Sequence, residues 1–227
     1  MSEKKDEPIV DIQQTISKTE RYFEDNKKSI LIIVGVVVGL ILAYVAYEKL
    51  FVEPAEAEAQ QELFWPERYF EKDSFRLALD GDGTHQGFID IADQYGSTPS
   101  GNLASYYAGV CLLNLGRYEE AIEYLEDFDA KDDMLGPVAT AAIGDAHMEL
   151  GRVDEAIDHY VKAANMFKNE FTTPIFLMKA GRAYEDQGNF KDALKMYEQI
   201  KADYPETREG KEIDKFIAYA KAKAGIE

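Results

Sequence analysis

The longest apolar stretch of the chain lies near its amino terminus. Residues Ile30 to Tyr47 carry no charge, and a helix of that length covers about 27 Å, close to the hydrocarbon thickness of a bilayer. The stretch also lacks the polar stripe that a core helix with one solvent face would show. We therefore predict a transmembrane helix over residues 29–50 rather than a buried core helix.

A cleaved signal sequence is the alternative for this stretch. Ala55, Ala57 and Ala59 follow it with the small-residue spacing of a cleavage site. The stretch is, however, longer than an ordinary leader, and Glu56 and Glu58 interrupt the small residues. We therefore expect the helix to stay as an anchor.

Small residues recur every four positions inside the predicted anchor. Gly35, Gly39 and Ala43 lie on one face of the helix, where the absence of bulk lets a second helix approach closely. This face is a candidate packing surface for a partner helix in the membrane.

Residues 51–101 predict a stalk and irregular leading helices. Glu, Gln and Ala after Pro54 favour a helix, and aromatic-rich helical sequence continues to about Leu79, with Pro66 at a kink or a new first turn. The Asp-Gly-Asp-Gly sequence at 80–83 predicts a turn, and Phe88 to Tyr95 predict the next helix.

Apolar and small positions then recur three times at a nearly constant spacing. Each unit reads as a helix, a turn (LGRY, LGRV or QGNF) and a second helix that begins EEAI, DEAI or KDAL. The small residues in register are Gly109, Gly144 and Gly181, then Gly116, Gly151 and Gly188, then Ala121, Ala156 and Ala193. The pattern predicts helical hairpins whose two helices cross closely at a Gly and an Ala, because a larger side chain would separate them.

These units resemble the tetratricopeptide repeat, a helix-turn-helix unit of 34 residues. The resemblance covers residues 102–205 as three repeats, and it implies an all-α fold in which an α-solenoid follows a single transmembrane helix. Where that family usually has Trp, the chain has Ser105, Thr140 and Leu177. Extra residues at 168–173 predict a longer loop between the second and third repeats.

The two ends of the repeat region also carry a pattern. The apolar side of residues 206–227 predicts a helix that caps the last repeat; that side is formed by Ile213, Phe216, Ile217, Tyr219 and Ala220. The sequence ADQYGSTP that ends the leading helices echoes ADYPET at 202–207. A leading pair of helices over residues 64–99 is therefore expected to precede the repeats.

Solenoids of this family bind polypeptides in a concave face formed by the first helix of each repeat, so the resemblance implies a groove. Its predicted lining is Leu103, Tyr106, Val110, Leu113, Val138, Ala141, Asp145, Met148, Ile175, Met178, Arg182 and Glu185. The set is apolar at one end and charged at the other, and it lacks the paired Lys and Asn that clamp a terminal carboxylate in related adaptors. It suits an amphipathic helix or an unfolded stretch. Alternatively, residues 56–95 or the carboxyl-terminal helix fill the groove.

Charge narrows the possible partners. The chain has 43 acidic and 25 basic residues, a net charge of −18. Residues 1–50 hold 8 acidic and 7 basic residues, so nearly all of the excess lies beyond them. Such a body repels phosphates, which argues against nucleic acid or anionic lipid headgroups as ligands.

Positive charges also predict the orientation in the membrane. Lys18, Arg21, Lys27 and Lys28 precede the apolar stretch, whereas only Lys49 follows it closely. The amino terminus is therefore expected in the cytoplasm and the repeats outside it.

The amino-terminal tail, residues 1–28, carries its own pattern. Ile9, Ile12, Ile16 and Phe23 fall on one helical stripe, which predicts a short amphipathic helix at the membrane interface or on a partner. A partly ordered tail is the alternative.

Candidate chemistry is sparse, and we predict no enzymatic activity, cofactor or metal. The turn at 80–83 is not a calcium loop, because His85 stands where Gly is needed and Ile91 where Glu is needed. His147, His159 and the single cysteine, Cys111, lie on predicted helices without partners at catalytic spacing, and burial would make Cys111 inert.

The layout as a whole resembles the YfgM-type ancillary translocon subunits of bacterial inner membranes. The resembling features are a tail that ends in Phe23, Asn26, Lys27 and Lys28, one Gly-containing spanning helix, and an exported divergent repeat domain. This resemblance implies an inner-membrane, periplasm-facing adaptor that associates with the SecYEG channel and with a membrane-anchored, PpiD-like prolyl isomerase. It would help exported chains to pass from the channel to chaperones.

Two other functions stay open. The chain could be a scaffold subunit of another envelope assembly or secretion complex, in which case purification would recover that complex without SecYEG. It could also be a regulator that reads a signal through its tail, in which case deletion of residues 1–26 would abolish function.

Overall fold

A computed structural model describes residues 12–130 and 132–226, with side chains from residue 25 onward. The chain divides into two units, Met1–Glu53 and Pro54–Glu227. The described part leaves out Ile9 and the side chains of Ile12, Ile16, Lys18, Arg21 and Phe23. The amphipathic helix of the tail, and the membrane orientation that the flanking charges indicate, therefore stay predictions.

The first unit contains helix α1, Ile12–Tyr47, followed by a π-helical turn, Glu48–Val52. Within the described residues, one helical segment, Asp25–Glu62, is long and apolar enough to cross a membrane, and its most apolar part is fully exposed. Apart from the neighbouring residues and backbone of its own helix, a methyl group added at Gly35 or Gly39 would meet no described atom within 4 Å. The predicted packing face is therefore open to a second helix.

The second unit is a series of helices joined by short loops. Its helices are α2 (Glu53–Glu62), α3 (Phe64–Phe70), α4 (Phe75–Asp80), α5 (Phe88–Tyr95), α6 (Pro99–Asn114), α7 (Tyr118–Asp127), α8 (Leu135–Glu149), α9 (Val153–Met166), α10 (Thr173–Asp186), α11 (Phe190–Asp203), α12 (Arg208–Glu212) and α13 (Asp214–Ala224). The three predicted hairpins are α6/α7, α8/α9 and α10/α11. The longer loop expected before α10 is not found, because the residues added between the second and third repeats extend α9, which has 14 residues against 10 in α7.

Each hairpin turns at the glycine that the sequence repeats. At the end of α6, the Arg117 amide donates to the Leu112 carbonyl at 2.9 Å and the Gly116 amide to the Leu113 carbonyl at 3.2 Å. Gly116 has φ 76°, a conformation that side chains rarely tolerate. The same pair of bonds closes α8 and α10, where Gly151 and Gly188 have φ 72° and 73°.

The predicted close crossings are confirmed. A methyl group on Gly109 would lie 2.5 Å from Leu125 Cγ, and one on Gly144 would lie 2.8 Å from Tyr160 Cε1. The facing alanines, Ala121, Ala156 and Ala193, are fully buried. The residue one turn beyond each alanine therefore packs onto the glycine of its own hairpin.

The predicted echo between the two ends is also confirmed, as a shared corner. The Thr98 hydroxyl donates to the Tyr95 carbonyl at 2.8 Å and accepts from the Gly101 amide at 3.0 Å, which caps α6. Thr207 makes the same bonds to Tyr204 and Gly210, at 2.8 and 3.1 Å. The spacing Tyr-x-x-Thr-x-x-Gly therefore forms the same capped corner before α6 and before α12.

The leading helices differ from the prediction in one place. The helix expected to continue to about Leu79 is broken after Phe70, and Asp73 adopts a left-handed φ of 55° before α4 begins. The following turn is held by the Asp82 carboxylate, which accepts the Tyr69 hydroxyl at 2.6 Å and the Thr84 and His85 amides. The Asp82 carboxylate therefore accepts its hydrogen bonds from groups of the protein itself.

The carboxyl-terminal cap consists of two short helices rather than one. Ile213 and Ala220 are fully buried and Ile217 nearly so, against the core of the last hairpin. Tyr219, which was expected on the same apolar side, is 48% exposed. It lies at the edge of the packed face, where its ring is 6.1 Å from that of Phe190 on α11.

Candidate functional site

The first helices of the three hairpins bring part of the predicted groove together. A cleft of about 500 Å³ is lined by Leu113 of α6, Asp145 and Met148 of α8, and Arg182 of α10, all of which were predicted. Additional lining comes from Tyr118, Glu149, Tyr160, Lys179, Ala183 and Asp186. Apolar and charged side chains therefore face one space, which we call the central cleft.

An ion pair between hairpins shapes the central cleft. Lys179 Nζ lies 2.6 Å from each carboxylate oxygen of Asp145, and the Tyr160 hydroxyl donates to Asp145 Oδ1 at 2.7 Å. Burial, followed by the Asp145 carboxylate, raises the pKa of Tyr160 far above its usual value. Tyr160 therefore stays neutral and keeps its proton for the hydrogen bond to Asp145.

A second cleft of about 250 Å³ continues toward the cap. It contains the predicted residues Ile175, Met178 and Arg182, together with Arg208, Glu209, Glu212 and Phe216. The Arg182 guanidinium lies 5.4 Å from the centre of the Phe216 ring. The carboxyl-terminal helices therefore form one wall of this cleft. They do not fill the groove, which was the alternative raised by the sequence.

The apolar end of the predicted groove is more closed. The Tyr106 ring lies 5.3 Å from that of Phe128, and Tyr106 and Val110 pack against the buried cluster of Leu125, Ala139, Ala142 and Ile143. Val138 packs against the neighbouring core, while Leu103 is half-buried outside both clefts. For these residues and Ala141, which is buried, binding stays a prediction.

Glu185 is half-buried and lies outside the linings of both clefts. Burial raises the pKa of its carboxyl group, although the nearby Tyr197 hydroxyl opposes the shift. Its predicted place in the groove likewise stays a prediction.

The leading helices pack on a different face of α6. Ala104, Ala108, Cys111 and Leu112 contact a cluster that includes Phe88, and Glu56 accepts hydrogen bonds from the amide and hydroxyl of Ser100, each at 2.8 Å. Residues 56–95 therefore stack ahead of the first repeat instead of occupying the central cleft. Burial raises the pKa of the Cys111 thiol to about 12, as expected of an inert cysteine.

Two histidines stack where α8 crosses α9. The rings of His147 and His159 lie 5.3 Å apart, and within the described chain neither buried Nδ1 atom has a hydrogen-bond partner. Burial, then His147 and Lys162, lower the pKa of His159 from 6.5, whereas Glu126 and Asp158 oppose that shift. The folded protein therefore favours a neutral His159.

We expect His159 to make stability depend on pH. Because the folded state lowers the pKa of His159, its contribution is complete above the unfolded value of 6.5 and is lost as the pH falls below it. The urea midpoint of unfolding should be lower at about pH 5.5 than at about pH 7.5, a window above most carboxylate titrations. His159→Phe should flatten this difference; an unchanged difference would contradict the assignment.

Comparisons with known proteins agree with this geometry. Tetratricopeptide-repeat models match residues 88–134, 141–170 and 176–207, which fall on α5 to α7, α8 to α9 and α10 to α11. No curated protein sequence matches the chain.

Solved structures share the fold at low sequence identity. TPR-like repeats of a putative kinesin light chain from Podosopora anserina superpose with TM-score 0.57 at 16% identity, covering 75% of this chain and 88% of that one; a point variant of those repeats gives 0.57 at 17%. The crystal structure of MamA protein gives 0.54 at 18% identity, covering 74% and 83%. The residues that the structure describes form helices and no strands, and the chain carries tetratricopeptide repeats on an all-α fold.

Proposed function

We propose that the chain is a membrane-anchored, non-enzymatic adaptor that holds a polypeptide partner in its groove beside a protein-export channel. The observation that carries this proposal is the central cleft. Leu113 and Met148 offer apolar contact there, whereas Arg182 and Asp186 offer charges of both signs. An amphipathic helix matches such a surface, since apolar anchors can fill the cleft while polar groups meet its rim.

The anchor and its flanking charges support the cellular location. The segment Asp25–Glu62 meets the length and composition of a membrane-spanning helix, and Lys27 and Lys28 precede its apolar stretch while Lys49 follows it. That asymmetry favours an amino terminus in the cytoplasm and repeats in the periplasm of a bacterial inner membrane.

The resemblance to YfgM-type subunits suggests the partners. In this proposal, the exposed face of Gly35 and Gly39 packs against SecYEG, and the central cleft binds a membrane-anchored, PpiD-like folding factor. The two contacts use separate parts of the chain, so they can be broken one at a time.

Affinity purification from bacterial membranes in mild detergent, with partners quantified by mass spectrometry, tests both contacts. The intact chain should recover SecYEG and the folding factor. Gly39→Leu should reduce recovery of SecYEG, because its bulk separates the helices. Arg182→Glu should reduce recovery of the folding factor about tenfold while SecYEG is kept.

Lys191→Glu is the matched control for Arg182→Glu, since Lys191 is exposed on α11 and outside both clefts. It makes the same charge change and should recover both partners as the intact chain does. Recovery of a different envelope assembly without SecYEG would overturn the proposed location. Loss of the folding factor with Lys191→Glu as well would show that the central cleft is not its site.

A further inference from the structure

Large apolar side chains are exposed at one edge of the solenoid, away from both groove clefts. Met134 is 49% exposed in the loop before α8, and Met166, Phe167 and Phe171 are 36%, 42% and 76% exposed in and beside the loop before α10. Each of these loops joins one hairpin to the next. We call these four residues and the two loops the loop edge.

Hydrogen bonds within the two loops hold their described residues in place. Asn169 Oδ1 accepts the amides of Phe171 and Thr172, each at 2.8 Å, and Asp132 Oδ1 accepts the amide of Met134 at 2.8 Å. These bonds fix the backbone while Phe171 stays in solvent. The aromatic ring is therefore presented outward at a defined position rather than on a free end.

A cleft of about 270 Å³ opens beside Met166. Met166 forms part of its lining, together with Leu125, Glu126, Phe128, Ala130, Gly136, Ala139, Thr140, Ile143, His159 and Lys162. The Thr140 hydroxyl donates to the Met166 sulfur at 3.3 Å, so Met166 borders the cleft at a fixed place. This volume can take one large apolar side chain from outside.

The charge around the loop edge selects the occupant. Residues 122–134 contain six acidic residues, Glu123, Glu126, Asp127, Asp129, Asp132 and Asp133, against one basic residue, Lys131. Residues 162–172 add Lys162, Lys168 and Glu170, so the two stretches together stay net acidic. A partner that carries Lys or Arg beside its apolar anchors gains attraction here, whereas an acidic one is repelled. A second copy of this chain is disfavoured, because each copy carries a net charge of −18.

We propose that the loop edge is a second docking site, which binds a cationic polypeptide segment of another protein through one or two large apolar side chains. One anchor enters the 270 Å³ cleft and another packs on Phe167 and Phe171. Basic residues of the segment face the acidic loop before α8. This site is separate from the groove and does not depend on the proposed function of the groove.

Binding of short labelled peptides to the full-length chain in phosphatidylcholine nanodiscs tests this site. The probe is a peptide of Lys, Ser and Phe, followed by fluorescence anisotropy, with empty nanodiscs as the blank. Matched peptides carry Glu in place of Lys, or Ser in place of Phe. The Lys and Phe peptide should bind at least about tenfold more tightly than either matched peptide, and its affinity should fall with added salt.

Variants then locate the bound peptide. The double variant Phe167→Ser with Phe171→Ser should weaken binding about tenfold, because it removes exposed apolar anchors without touching the core. Glu126→Lys with Asp133→Lys should weaken the Lys peptide and strengthen the Glu peptide. Phe64→Ser, which also replaces an exposed aromatic residue, and Ile175→Ser in the groove should leave binding unchanged.

Several results would overturn the proposal. Equal binding of the Lys and Glu peptides would remove the charge selection. Weakening by Ile175→Ser but not by the loop-edge variants would place the peptide in the groove. Sedimentation that shows a dimer lost in the Phe167 and Phe171 double variant would assign the loop edge to a second copy of the chain.

Discussion

Gly101→Ala is expected to destabilise the second unit by about 3 kcal/mol or more, since overpacking against a part that cannot move costs at least the upper end of the usual range. An added methyl group would overlap the carbonyl oxygen and carbon of Tyr95. These are backbone atoms of a corner that Thr98 holds from both sides. The gain of up to about 1 kcal/mol from replacing Gly by Ala in a helix is too small to offset the overlap.

Urea unfolding of the full-length chain, followed by circular dichroism, measures this loss. Gly109→Ala on the same helix is the matched variant, because its methyl group meets mainly the side chain of Leu125, at 2.5 Å, whereas at Gly101 the methyl group meets backbone atoms. It should lose less stability than Gly101→Ala. Equal losses at the two positions would show that the corner does not hold Tyr95 in place.

Gly181→Val is expected to destabilise the last hairpin by about 3 kcal/mol, again through overpacking. A Cβ atom at Gly181 would overlap the Tyr197 ring and lie 2.8 Å from its Cζ atom. Tyr197 is fully buried against the cap, with the Phe216 ring 5.5 Å away. The ring cannot move aside without displacing α13, so the two helices must separate.

Hydrogen exchange measured by mass spectrometry should show where this loss falls. Protection should drop in α10 to α13, whereas α5 to α7 should change much less, since repeats contact mainly their neighbours. Restoring room with Tyr197→Leu in the Gly181→Val background should recover part of the stability. No recovery in that double variant would argue against a clash at the crossing.

The repeat geometry could be predicted because it depends on residues in register. Gly144 and Ala156 recur with their counterparts at the same offsets, and the crossing of two helices leaves no room for other residue types there. The echo of ADQYGSTP in ADYPET was visible for the same reason, whereas the corner that Thr98 and Thr207 form was not predicted. A short sequence motif that occurs twice at equivalent positions can be recognised by comparing its two copies.

The composition of the site was less predictable, because it depends on contacts between repeats. Lys179 was not expected in the groove, and it enters the central cleft by pairing with Asp145, which is 34 residues earlier. A separation of one repeat length between opposite charges was a usable signal. Tyr106 was expected to be open, but it packs against Phe128, a loop residue that helical periodicity does not cover.

The break between α3 and α4 had no clear signal either. It depends on the left-handed Asp73 and on the bond from Tyr69 to Asp82, a contact across 13 positions that no period describes. The loop edge is similar, since Phe171 lies outside any repeat position and its exposure follows from how Asn169 folds the loop.

Photocrosslinking in intact bacterial cells tests the adaptor account most directly. A photoreactive amino acid at Met148, inside the central cleft, should yield one dominant adduct with a membrane-anchored folding factor, and the same residue at Lys191 on α11 should yield none. An absence of adducts from Met148, or an identical set of adducts from both positions, would contradict the account.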